Sequence, residues 1–208
     1  MVKLDEKIVE MSETKKVSDH AQKLKISDKK EEKSKLEFVK SSFHNNVVIT
    51  EDSDKARDLY AQSRYGDMKH AKVELSLIEA MYLLEKEKIK IFNGKKELKS
   101  SDFLKKCEKV EKNFWVRYKV FKDMRERGYI VKTALKFGAD FRVYDRGVKP
   151  GEDHAKWIIY PVSESEGMTW FDFAAKNRVA HSTKKRLLIG IVDSEGDVTY
   201  YEIKWTRP

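Results

Sequence analysis

In the last third of this 208-residue chain a single helix stands among strands, and that arrangement restricts the fold more than any other feature. Apolar and alternating runs predict strands at residues 129–135, 140–144, 157–162, 187–192 and 198–205. Between the third and fourth of these, Thr169-Trp-Phe-Asp172 puts a hydroxyl and a carboxylate at N-cap spacing. A helix therefore starts near Thr169, and its apolar positions continue through Phe173, Ala174 and Val179. Strands on both sides of one helix require a crossover, so this part of the chain is α/β with a mixed sheet.

Upstream, the pattern is different. Asn46-Val-Val-Ile-Thr50 and Val73-Glu-Leu75 read as short strands, and Ser53 or Asp54 can cap a helix containing Ala56, Leu59 and Tyr60. Ser76-Leu-Ile-Glu79 has capping-box spacing and opens a helix whose buried stripe includes Ile78, Met81, Tyr82 and Leu84. Asn93-Gly94 between Ile89-Lys-Ile-Phe92 and Lys96-Glu-Leu98 signals a hairpin. Ser100 or Ser101 is expected to cap the next helix, and a further helix from about Asn113 carries Phe114, Trp115, Tyr118, Phe121 and Met124 as far as Gly128. The expected organisation is a charged, flexible extension over residues 1–42, a small α+β domain over 43–128 and an α/β domain over 129–208. The extension alternates Lys with Glu, Asp and Ser, and such a segment buries too little apolar surface to offset its ordering entropy.

Charge narrows the class of partner. The net charge of +9 favours a polyanion, nucleic acid before membrane. Residues 129–208 hold 13 basic and 11 acidic side chains, so most of the excess lies upstream of them. One cysteine, Cys107, excludes an intrachain disulfide and a cysteine-based zinc site. No apolar run approaches 18 residues and Met-Val-Lys-Leu-Asp-Glu-Lys lacks a signal-peptide core, so a cytoplasmic, non-membrane protein is expected. No P-loop, dinucleotide fingerprint or internal repeat is present, and no cofactor is expected.

Three residues near the predicted sheet rim carry usable chemistry. Tyr144 ends a strand before Asp145-Arg-Gly147; a phenol serves as a base near neutrality only when cations favour its phenolate, and Arg142, Arg146 and Lys185 are the candidates. His154 lies in the polar loop Lys149-Pro-Gly-Glu-Asp-His-Ala, and an imidazole is a proton donor in the cellular pH range. Lys185, at the start of a strand, can bring a fixed positive charge to the same rim. Taken alone, each position also suits a plainer role: a core or rim aromatic, a surface histidine, a solvated strand start. His181 sits near a helix end, where a cation complements the dipole.

The run Gly-Ala-Asp-Phe-Arg-Val-Tyr-Asp-Arg-Gly from Gly138, with its flanks over 128–147, then His154, then Arg178-Val-Ala-His-Ser-Thr-Lys-Lys-Arg-Leu-Leu188, resembles the catalytic domain of the archaeal tRNA-intron (tRNA-splicing) endonucleases. Ser63-Arg-Tyr-Gly66 and Leu75-Ser-Leu-Ile-Glu-Ala-Met-Tyr-Leu-Leu84 resemble that family's N-terminal domain. The resemblance implies a restriction-endonuclease-like core in the C-terminal catalytic domain. It also implies that Tyr144 deprotonates a 2′-hydroxyl, His154 protonates the departing 5′-oxygen and Lys185 stabilises the pentacovalent intermediate. The implied products are a 2′,3′-cyclic phosphate and a 5′-hydroxyl, formed without metal.

The implied substrate is precursor tRNA folded into a bulge-helix-bulge, with Arg178 stacking on a bulge base and Tyr200 standing where some members place a second stacking arginine. Assembly is implied too. Residues 198–205 pair with a second subunit, the acidic loop 193–197 enters a neighbour's cleft, and the result is a homotetramer or a heterotetramer with a related non-catalytic subunit. The competing reading is that this chain is itself an RNA-binding, assembly subunit without activity.

Overall fold

The computed structural model describes residues 38–134 and 138–206, so the extension expected over 1–42 lies mostly outside the described residues, as does Leu135. Among the described residues eleven strands and five helices form an α+β fold with two mixed sheets.

The first sheet has six strands in the order β3-β4-β2-β1-β5-β6. They are β1 (Val39–His44), β2 (Val47–Thr50), β3 (Asp67–Lys69), β4 (Lys72–Leu75), β5 (Ile89–Asn93) and β6 (Lys96–Leu98). Only β1 and β5 run parallel. Strand β1 starts at Val39, four residues before the domain start expected at Phe43; it lies between β2 and β5 and both its edges are paired. The hairpin turn is Gly94-Lys95: Asn93 is still paired with Lys96, and Gly94 takes φ 61°, which a side chain rarely tolerates.

Helices α1 (Asp54–Ser63), α2 (Leu77–Glu85) and α3 (Ser100–Val110) accompany this sheet. Ser53 caps α1 by accepting from the Ala56 amide. The capping box of α2 forms as the spacing predicts: Ser76 Oγ accepts from the Glu79 amide, and Glu79 Oε2 takes the Ser76 amide. For α3 the expectation is corrected. Ser100 is already helical, and Lys99 occupies the cap position with no side-chain hydrogen bond.

The second sheet runs β11-β10-β9-β8-β7. Its strands are β7 (Ile130–Thr133), β8 (Phe141–Tyr144), β9 (Trp157–Ser163), β10 (Arg186–Val192) and β11 (Val198–Ile203). Helix α5 (Trp170–Ser182) makes the crossover between β9 and β10, the one parallel pair, and Thr169 caps it. On its other side the sheet packs against α4 (Phe114–Glu126), which buries Phe114, Tyr118, Val120, Phe121 and Met124. The approach is close: a Cβ on Gly190 of β10 would lie 3.1 Å from a Val120 methyl and 3.2 Å from the Tyr200 ring. Phe121 of α4 meets Tyr82 of α2 at 5.9 Å and Phe141 of β8 at 5.9 Å between ring centroids. One apolar core thus continues from Val39 through α4 to Val192, while Ala139, Ile158, Tyr160, Ala180 and Leu187 form a second cluster that includes α5.

Candidate active site

Three chain segments meet at one end of the second sheet because of its register. Val143 near the end of β8 is opposite Trp157 at the start of β9, and Trp157 is opposite Arg186 at the start of β10. The last residue of β8, the loop before β9 and the residue before β10 are therefore neighbours. Those positions hold Tyr144, His154 and Lys185.

Tyr144 is buried, with the Arg142 guanidinium 5.9 Å from its ring centroid. The strand ends there because Asp145 starts a turn: its carboxylate accepts from the Arg146 amide at 3.0 Å and its carbonyl from the Val148 amide at 3.1 Å. The same carboxylate pairs with Lys156, which fastens the loop's exit to its entry, and this pairing holds Asp145 below the usual carboxylate range. Within the loop, Glu152 accepts from the Lys149 amide at 3.2 Å and Asp153 from the His154 amide at 2.6 Å. His154 itself is exposed.

Lys185 is placed by the end of α5. The Lys184 and Lys185 amides donate back to the His181 and Ala180 carbonyls at 3.0 and 2.9 Å, which caps the helix. That cap needs a left-handed residue, and Lys184 supplies it at φ 54°, where glycine is usual. The Lys185 ammonium donates to the Thr183 carbonyl at 2.9 Å.

Tyr144, His154 and Lys185 line a single cavity of about 420 Å³, together with Arg142 and residues 151–155. Of the cations considered for Tyr144 from sequence, Arg142 and Lys185 are in this cavity. Arg146 is not; it lies 4.9 Å from the ring of Tyr129. No group of three or more His, Cys, Asp or Glu side chains suited to a metal occurs among the described residues.

Arg178 and Tyr200 are not part of the cavity wall. Arg178 is exposed on α5. Tyr200 on β11 is half-buried: its hydroxyl donates to Asp123 of α4 at 2.8 Å, and Arg127 stands 5.8 Å from its ring. Burial and then the Asp123 bond push its hydroxyl well above the ordinary phenol range. His181 is in the last turn of α5, 5.3 Å from the ring of Trp205. Sequence reasoning named Arg142 only as a charge near Tyr144; its place in the cavity wall follows from the i, i+2 alternation of a strand.

The five-stranded mixed sheet with these groups at one end is joined through α4 to the part of the chain that carries the six-stranded sheet, and comparison with known proteins places this chain in a class of RNA-processing enzyme. Residues 39–104 match the family described as tRNA intron endonuclease, N-terminal domain, and residues 114–200 match tRNA intron endonuclease, catalytic C-terminal domain. The chain is 41% identical over 175 residues to a tRNA-splicing endonuclease of Pyrococcus furiosus, a match spanning 84% of this chain and 99% of that one. It is 39% identical over 170 residues to the tRNA-splicing endonuclease of Methanothermobacter thermautotrophicus, covering 82% and 99% of the two chains. With that of Nanoarchaeum equitans it shares 48% over 141 residues, 65% of this chain and 90% of the other. The chain belongs to the tRNA intron endonuclease family and is an enzyme.

Among the described residues no helix is long and apolar enough to cross a membrane.

Proposed function

We propose that this cavity cleaves precursor tRNA at bulge-helix-bulge exon–intron junctions by attack of the 2′-hydroxyl on the adjacent phosphorus. The observation that carries the reading is the single cavity lined by Tyr144, His154 and Lys185. Tyr144 removes the 2′-hydroxyl proton, and the freed oxygen forms a bond to phosphorus in line with the bond that breaks. His154 gives its proton to the leaving 5′-oxygen, and the Lys185 ammonium offsets charge on the phosphorane. Proton gain at one group equals proton loss at the other, so the step balances with no metal and leaves a 2′,3′-cyclic phosphate and a 5′-hydroxyl. The catalytic unit of this proposal is 129–208 together with α4; residues 39–110 carry the first sheet and its helices, of which α2 and α3 pack against α4.

Unstacked bulge nucleotides are accessible to side chains, and Arg178, exposed on α5, is suited to stack on one of them. Tyr200 would first have to give up its Asp123 hydrogen bond to do the same. For assembly we propose a tetramer, homomeric or with a related non-catalytic subunit. Among the described residues β11 is an edge of the second sheet, with Tyr201 56% exposed, and an edge strand with an exposed aromatic invites a strand from another copy.

The test is incubation with a bulge-helix-bulge RNA in EDTA, with the ends analysed for cyclic phosphate. Cleavage that stops with the chelator overturns the metal-free route. His154→Ala should lower turnover by about 10²-fold or more, the usual worth of a general acid, while RNA affinity stays within a few-fold. Equal losses in both would make His154 a binding residue, and wild-type binding without cleavage on several substrates would make the chain an assembly subunit.

A further inference from the structure

Arg142 is a half-buried cation with no ion pair among the described residues. Its Nε is buried without a hydrogen-bond partner, and among the described residues no carboxylate lies within ion-pair distance of it. The contrast with Lys132 explains the situation. Lys132 is directly opposite Arg142 in the β7–β8 ladder, so the two share a face of the sheet. Both also line a smaller cavity, about 180 Å³, whose wall includes Glu79. Glu79 is the buried carboxylate there, and it is already committed: Oε1 accepts from the Gly66 amide at 2.9 Å and faces Lys132 at 3.5 Å, while Oε2 takes the Ser76 amide and hydroxyl. Lys132 thus has its counter-charge and Arg142 does not.

A buried guanidinium N–H without an acceptor costs stability, and a buried donor left unpaired calls for a ligand. Arg142 borders the active-site cavity, where Glu152 and Asp153 each accept a backbone amide of their own loop. It stands two strand positions, about 6.6 Å, from Tyr144 on the same face. That is of the order of the separation between consecutive phosphates of an extended nucleic-acid strand. A planar fork of donors at such a place matches a phosphodiester.

We propose that Arg142 is a phosphate anchor for the RNA, holding the phosphodiester next to the one addressed by Tyr144, His154 and Lys185. The proposal rests on the cleavage reading above and adds a residue and a second phosphate to it. The anchor fixes the strand's position so that the 2′-hydroxyl faces Tyr144.

The experiment measures binding of a bulge-helix-bulge RNA made uncleavable by a 2′-deoxy nucleotide at each of its two junctions, at several salt concentrations, for wild type, Arg142→Gln and Arg142→Lys. Single-turnover cleavage of the all-ribose RNA is followed in parallel. Arg142→Gln should bind about 10-fold more weakly or worse, as loss of a charge-assisted contact implies. Its plot of log affinity against log salt should flatten by about 0.7, the slope of one phosphate contact on a single strand. Arg142→Lys should keep the slope and recover only part of the affinity, because an ammonium cannot make the bidentate contact.

Wild-type affinity and slope in Arg142→Gln overturn the anchor. Should that variant fail to fold, the Nε–H resonance of Arg142 in the wild-type protein decides: it shifts on adding the uncleavable RNA if the anchor is real, and an unmoved resonance refutes it. The two readings fail separately. A wild type that does not cleave, yet binds with an Arg142-dependent slope, loses the cleavage reading and keeps the anchor. A wild type that cleaves through His154 while Arg142→Gln binds normally loses the anchor alone.

Discussion

Glu79 is the side chain whose removal should cost this fold most for its size. It is 5% exposed, and its carboxylate accepts from the Gly66 amide, the Ser76 amide and the Ser76 hydroxyl at 2.9, 3.1 and 2.7 Å, with Lys132 at 3.5 Å. One carboxylate therefore fastens the start of α2, the loop after α1 and β7 of the other sheet. Glu79→Ala leaves two backbone donors without an acceptor and takes the buried counter-charge from Lys132, whose ammonium keeps the Gly66 carbonyl at 2.5 Å. Each hydrogen bond to a charged group is worth about 1.5–3 kcal/mol, and removing one member of a buried pair typically costs about 3–5 kcal/mol in all, since the terms do not add. We expect about 4 kcal/mol. At about 2–4 °C per kcal/mol for a chain of this size, that is a fall of roughly 8–16 °C in Tm. Urea unfolding followed by circular dichroism gives the free energy directly. Lys132→Met should cost less, about 1 kcal/mol, because Glu79 keeps its other three partners. A Glu79→Ala protein within about 1 kcal/mol of wild type would refute the reasoning, since it would mean that water satisfies those donors as well as the carboxylate does.

Three further outcomes follow from local chemistry. Lys184→Val puts a β-branched residue at φ 54°, and should destabilise by about 1–2 kcal/mol and slow cleavage, since the same cap places Lys185; Lys184→Gly should do neither, by the same two measurements. Tyr118 and Tyr200 both hold their protons above the ordinary 10.0, through burial first and then through hydrogen bonds to Glu85 and Asp123. The unfolded chain releases those protons near pH 10 and the native one retains them, so this contribution to stability is complete below pH 10 and is lost as pH rises above it. Absorbance at 295 nm should show a late tyrosine phase coinciding with unfolding, and a single phase near pH 10 in folded protein would contradict it. The Cys107 thiol, pushed up to about 12 by burial and by Glu111 and Glu108, should resist an aromatic disulfide reagent at pH 8 until denaturant is added.

What could be read from the sequence was what is local. Capping boxes and hairpin turns join residues two to four apart, so Ser53, Ser76, Thr169 and Gly94 stand where their spacing puts them, allowing for a shift of one residue in the turn. The crossover helix was legible for the same reason, since strand and helix periods differ. Strand β1 was not. Val-Lys-Ser-Ser-Phe-His carries few apolar residues, and it is a strand because β2 and β5 pair with both its edges, the latter some fifty positions downstream. β3 is exposed at all three residues and exists only as a partner of β4. α3 begins without a side-chain cap because its buried Phe103 and Cys107 anchor it instead.

The candidate site divides along the same line. That Tyr144 ends a strand and Lys185 precedes one was visible in the local pattern, and so was the loop around His154. That the three face one cavity depends on which strands are neighbours, and the order β10-β9-β8 is a property of the whole sheet. Arg142 illustrates what pattern alone leaves out. Its alternation with Tyr144 puts both on one face, but its lack of an ion pair among the described residues depends on Glu79, sixty-three positions away, being already held by Gly66, Ser76 and Lys132. Tyr200 is the opposite case. An aromatic in an edge strand looks available for stacking until Asp123 of α4 is found to accept its hydroxyl. Chemistry-bearing residues in this fold are therefore separated by their partners and not by their type. A cation or an aromatic that the fold has already satisfied has a partner to give up before it binds, and one left unsatisfied at a cavity wall is where a ligand should be sought first.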